Sequence, residues 1–231
     1  MKKILPLVLF LLGSLSFSQT DQKAYSDAIR KNIKRYSAIS DRAYLVGKTA
    51  EAEYLFDTLV NNHLVGTRFN DYQFKRLYGG KLKLSSIKKP ILIQTYASWC
   101  IINKGEIPAL NKLARQHAKD LQIIVVFWDR KQAAKAVAAQ FNGYIEVCYA
   151  NESYSKDTEV VATMKNAIGY LSSYFLNDNL EVLSIRKGAP LQIPKKTPIK
   201  EAIRLNFEFY NAQIADILVK SNLKKEHIAH Q

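Results

Sequence analysis

Three short apolar runs, at residues 91–96, 121–128 and 144–149, alternate with amphipathic stretches of helical period at 104–118 and 131–141, and this alternation constrains the fold more than any other feature. Runs of this length, rich in Ile, Val, Tyr and Phe and apolar at consecutive positions, read as buried strands. A helix at 159–167 then precedes two more strand-like runs, 171–176 and 180–186, joined by the short polar turn Asn177-Asp178-Asn179. Strand, helix, strand, helix and a closing hairpin predict an α/β protein with a mixed central sheet and helices on both of its faces.

The flanks have a different character. Met1-Lys2-Lys3, the apolar run 4–12 and the small-x-small triplet Ser16-Phe17-Ser18 make the three regions of a secretory signal peptide, cut after Ser18. As a membrane anchor the run falls short of the ~20 residues that span a bilayer. No later segment reads as transmembrane, and no cysteine follows the run to carry a lipid. The expectation is an exported chain, periplasmic or secreted, with no transmembrane anchor after cleavage.

Residues 19–66 then form a helical extension, with Tyr25, Ala28, Ile29, Ile33 and Tyr36 on one helix face and Ala52, Leu55, Phe56 and Leu59 on another. These faces pack on the main domain or, alternatively, on a partner. Weak strand signals at 72–74 and 82–84 open the central domain, 67–190. Past Pro190, Pro194 and Pro198, the segment 191–231 carries a long helix with Ile199, Ile203, Phe207, Tyr210, Ile214 and Ile217 along one side. It is read as docked on the core, with a dimerisation helix as the alternative.

Thirty-four Lys and Arg against 20 Asp and Glu give a net charge of +14. That admits acidic partners without selecting one, and export makes chromosomal DNA a poor partner, so no nucleic acid is expected and the basic surface reads as a solvated face. The two cysteines, and four histidines at no metal-ligand spacing, exclude a disulfide scaffold and a structural zinc site. No metal and no cofactor are expected.

The chemistry centres on Cys100. Thr95-Tyr96-Ala97-Ser98-Trp99-Cys100 leaves a buried strand and enters a helix, where free N–H groups and the helix dipole would favour a thiolate. The alternative is a small buried side chain that merely packs. Ala97-Ser98-Trp99-Cys100, with Glu106-Ile107-Pro108-Ala109-Leu110 following, resembles the A-[ST]-W-C-x-x-C-[RK]-x-E-x-P-x-L signature of TlpA/ResA-type thioredoxin-like proteins. Val65-Gly66, Asp71-Tyr72-Gln73-Phe74, Gly80-Lys81, Leu84-Ser85 and Ile87-Lys88 fall where that family reads V-G, D-F-x-L, G-K, L-S and a basic turn, so the resemblance runs from 65 to 189. It implies a thioredoxin-like fold and thiol-disulfide exchange in the bacterial envelope.

Two departures bear on that activity. Asn103 stands where the family has its second, resolving cysteine, and Leu171 stands where it has a cis-proline. A dithiol enzyme releases its mixed disulfide by intramolecular attack of the second thiol, which Asn103 cannot perform. Cys148 is a possible second thiol, conditional on a Cα separation within about 7 Å. Peroxidase motifs are absent: Ile93 and Ala97 stand where a peroxiredoxin has proline and threonine, and neither tryptophan precedes Asn-Phe. What the resemblance leaves is single-thiol chemistry, with Cys100 as nucleophile, Trp99 shielding it and Lys104 favouring the thiolate, acting on a thiol substrate or a protein partner. The alternative is a non-catalytic thioredoxin-fold binding module.

Overall fold

The computed structural model describes residues 22–100, 103–188 and 191–229; the signal-peptide reading lies outside them. Seven strands form one sheet: β1 (Gln73–Arg76), β2 (Lys81–Lys83), β3 (Ile91–Tyr96), β4 (Gln122–Phe127), β5 (Ile145–Tyr149), β6 (Ser172–Leu176) and β7 (Val182–Lys187), in the order β2-β1-β5-β4-β3-β6-β7. The three strands of the sequence alternation sit at its centre. β4 pairs in parallel with both β3 and β5, and the hairpin β6–β7 adds antiparallel to β3. All six residues of β3 are buried, the polar Gln94 and Thr95 included, which is why Ile91, Leu92 and Ile93 run without polar alternation.

Two layers of helix cover the two faces. On one lie α1 (Tyr25–Leu45) and α2 (Thr49–Leu59), a π turn at Val60–Leu64, and later α5 (Thr158–Val160) running into a second π turn. Tyr25, Ile29, Phe56, Leu59, Leu64 and Met164 from these elements share a core with Ile91, Ile93, Ile124, Val126 and Tyr174 of the sheet. The N-terminal extension is thereby built into the core on this face.

The opposite face is covered by α3 (Glu106–Gln116), α4 (Lys131–Ala138) and α6 (Ile199–Ala229). Leu110, Leu113, Ala134, Tyr210, Ile214 and Ile217 pack there on Leu92, Val125, Phe127 and Phe175. Burying side chains of this size contributes roughly 1.5–3 kcal/mol each, which fixes α6 to its own chain.

The apolar stripe expected on α6 is displaced in its first half. Ile199 is 49% exposed, Ile203 and Phe207 are half-buried, and the fully buried positions there are Ala202 and Asn206. The reason is a close approach of backbones: a Cβ on Gly105 would lie 2.7 Å from the Ile203 nitrogen and 2.8 Å from the Ala202 carbonyl carbon. Only small side chains fit where α6 crosses the start of α3.

Candidate functional site

The parallel strands β3 and β4 end together, with Tyr96 in register with Phe127, so the segments that follow them meet at the C-terminal ends of these central strands. Asp129, just past β4, accepts the Ser98 backbone N–H at 2.6 Å and the Ser98 hydroxyl at 2.7 Å. That two-point hold fixes the loop carrying Trp99 and Cys100. The Cys100 N–H donates to the Ala97 carbonyl at 2.8 Å, closing a tight turn.

The helix was expected to begin near 104 and to present its N-terminus to the thiol. It begins instead at Glu106, with Gly105 at φ 81 as the residue before it, so Cys100 sits in a turn upstream of the helix. Glycine takes that left-handed conformation without a Cβ penalty, and it breaks helical continuity back toward Cys100. Without dipole stabilisation, burial raises the Cys100 thiol pKa above its ordinary value, opposed by a hydrogen bond from the Ala97 backbone to the thiol, and the Asp129 carboxylate adds to the rise. The thiol is half-buried and free.

The other predicted residues separate into two groups. Trp99 is 67% exposed and stacks edge-on against Tyr170, itself 40% exposed, with ring centroids 4.9 Å apart. Leu171 directly follows Tyr170, and its loop is held by Thr95. The Thr95 hydroxyl lies 2.9 Å from the Tyr170 carbonyl and accepts the Ser172 N–H at 3.0 Å, while the Leu171 carbonyl accepts the Gly188 N–H at 2.8 Å. Among the described residues no peptide bond is cis. Trp99, Cys100, Tyr170 and Leu171 thus lie together where β3 ends and β6 begins.

Asn103 and Lys104 face the C-terminal extension instead. The Asn103 side-chain amide donates to the Leu191 carbonyl, and Lys104 Nζ donates to the Thr197 carbonyl at 2.8 Å rather than serving Cys100. Cys148, the possible second thiol, is fully buried in β5 and free, and burial pushes its pKa up to about 12.

Sequence reasoning passed over a buried acid. Glu106 is 2% exposed, and its Oε1 accepts hydroxyl hydrogens from Tyr96 at 2.7 Å and Tyr210 at 2.9 Å, while its Oε2 takes the Asn103 N–H at 3.2 Å. Burial raises its pKa; these hydrogen bonds oppose the rise. Glu106 was visible as a letter of the motif, and Tyr210 as part of an apolar stripe. Neither pattern indicates that the two meet. Among the described residues no group of His, Cys, Asp and Glu is placed to hold a metal, and no helix is long and apolar enough to cross a membrane.

A sheet of this order, with a Trp-Cys turn after β3, has a thioredoxin-like fold. Its motif resembles the TlpA/ResA signature, and Asn103 stands at the position of that signature's second cysteine. No protein-family model matches the chain. The thioredoxin-like protein YneN of Bacillus subtilis is 26% identical over 125 residues, covering 53% of this chain and 71% of the relative. A solution structure from Bacteroides thetaiotaomicron, described as a candidate protein disulfide isomerase, matches with a TM-score of 0.50 and 17% identity over 72% of this chain and 94% of that one. A crystal structure from Chlorobium tepidum, described as a candidate thiol:disulfide interchange protein DsbE, is 21% identical with a TM-score of 0.45 over 62% of this chain and 97% of that one.

Proposed function

We propose that this is an exported thioredoxin-like protein whose redox chemistry is confined to a single thiol, Cys100, which exchanges with a disulfide on a protein partner or small substrate to form a mixed disulfide. One observation carries the reading: in the motif turn Cys100 is a half-buried free thiol, while position 103 holds an amide bonded to Leu191. The exposed Trp99 and Tyr170 beside it offer the aromatic surface on which partners commonly dock. Export rests on the signal-peptide pattern of residues 1–18.

A specific observation favours a second reading, a binding module in which Cys100 only packs: the thiol pKa is raised by burial and by Asp129, so little thiolate exists at neutral pH. Alkylation of the folded protein by iodoacetamide as a function of pH, followed on the two cysteine peptides by mass spectrometry, separates the readings. The single-thiol reading expects Cys100 to react with a midpoint above the ordinary thiol value while Cys148 stays unmodified, and a Cys100→Ser variant to lose the reaction. If both cysteines are inert until denaturation, Cys100 is packing and the binding module stands.

A further inference from the structure

The N- and C-terminal extensions approach each other over β7, the last strand of the sheet, and leave between them a cleft of about 570 Å³. Arg186 and Lys187 close β7 and line this cleft; consecutive strand residues point to opposite faces of a sheet, so the cleft wraps around the end of the edge strand. Glu53 and Asp57 line it from α2, one helical turn apart and therefore on one side of that helix. Tyr44 and Phe56 add aromatic surface from the N-terminal extension, and Phe209 adds it from α6.

Two acids and two cations thus share one cleft without neutralising each other. Among the described residues no ion pair joins them, and Arg186 lies instead over the Phe209 ring, 5.6 Å from its centroid. Opposite charges on this chain pair where they are within reach: Lys48 meets Glu51 at 3.1 Å at the start of the same helix, and Arg204 meets Glu208 at 2.7 Å on α6. A ligand of one sign would match one wall and leave the other uncompensated, whereas a ligand carrying both signs matches both. The volume falls within the roughly 300–1,000 Å³ of small-ligand sites, which leaves room for an apolar side chain as well.

We propose that this cleft binds a short zwitterionic peptide, its free ammonium group against Glu53 and Asp57 and its free carboxylate against Arg186 and Lys187. A guanidinium matches a carboxylate through two parallel hydrogen bonds, and the three aromatic rings offer an apolar side chain a place to bury. The cleft borders the loop of the candidate site, since Lys187 pairs with Ser172 and the Gly188 N–H donates to the Leu171 carbonyl. Cys100 is not among the described residues that line it. Binding needs no thiol, so the proposal stands apart from the single-thiol reading.

The test titrates the full chain calorimetrically with leucyl-phenylalanine and leucyl-glycyl-phenylalanine, each with both ends free, N-acetylated or C-amidated. At least one free peptide should bind, and capping either end should weaken it by about fivefold or more. Glu53→Gln with Asp57→Asn, and separately Arg186→Gln with Lys187→Gln, change only exposed side chains, and circular dichroism checks that both variants fold. The acid-wall variant should bind the free peptide less tightly but the N-acetylated one as the wild type does. The basic-wall variant should show the same pattern toward the C-amidated peptide, and Cys100→Ser should bind like the wild type. No binding of either free peptide at millimolar concentration, capped peptides that bind as tightly as free ones, or variant losses that ignore which end is capped overturn the proposal. Loss of binding in Cys100→Ser would put the peptide at the motif instead and overturn the cleft.

Discussion

Tyr210 donates its hydroxyl to Glu106 across 2.9 Å, joining the middle of the C-terminal helix to the first residue of the helix that follows the motif. Both groups are buried, so neither has water as an alternative partner. A hydrogen bond to a charged buried group contributes about 1.5–3 kcal/mol, and removing the Tyr210 hydroxyl leaves Glu106 Oε1 with the Tyr96 hydroxyl alone. Tyr210→Phe keeps the ring packing and deletes only this bond. Urea unfolding of the variant should show a loss of about 1–3 kcal/mol; an unchanged midpoint and slope would mean that the contact carries no stability.

Glu106 also sets a pH dependence. Its folded-state pKa is raised, burial being the largest cause, so the folded chain binds this proton more tightly than the unfolded chain. The cost of the ionised form is fully present above the folded pKa and is relieved as pH falls through it toward the unfolded value near about 4.3. Measured against Glu106→Gln, which does not titrate, wild-type stability should therefore improve as pH is lowered through that window. A wild-type advantage that shrinks on acidification would reverse the sign and contradict the account.

Gly105 also lies against α6, and it is constrained twice. Its φ of 81 costs an L-residue roughly 1–2 kcal/mol, and any Cβ would meet the backbone of α6 at 2.7 Å. Gly105→Ala should lower thermal stability by more than the conformational cost alone and raise hydrogen exchange in residues 199–210. A melting temperature within error of the wild type would show that α6 shifts freely.

The central sheet was legible because its strands are buried on both faces: β3 spans Ile91–Tyr96, the limits of its apolar run. What depended on remote partners was not. The start of α3 moved from 104 to Glu106 because Gly105 takes a left-handed conformation under α6, a condition no local pattern records. Asn206 is buried where an apolar stripe pointed to Phe207, since its amide reaches the Lys104 carbonyl 102 positions earlier. Cys100 was found from its motif, but its environment depends on Asp129, which reaches the loop only through the pairing of β3 with β4.

The absence of a resolving thiol is the claim on which the rest stands, and reduction of insulin disulfides with dithiothreitol measures it most directly. Asn103 cannot release a mixed disulfide, and Cys148, fully buried with its pKa pushed up to about 12, is no substitute. The expected result is turnover no faster than that of Cys100→Ser under the same conditions. Multiple turnovers by the wild type that disappear in Cys100→Ser would contradict the account, because they would require a resolving step that this site does not contain.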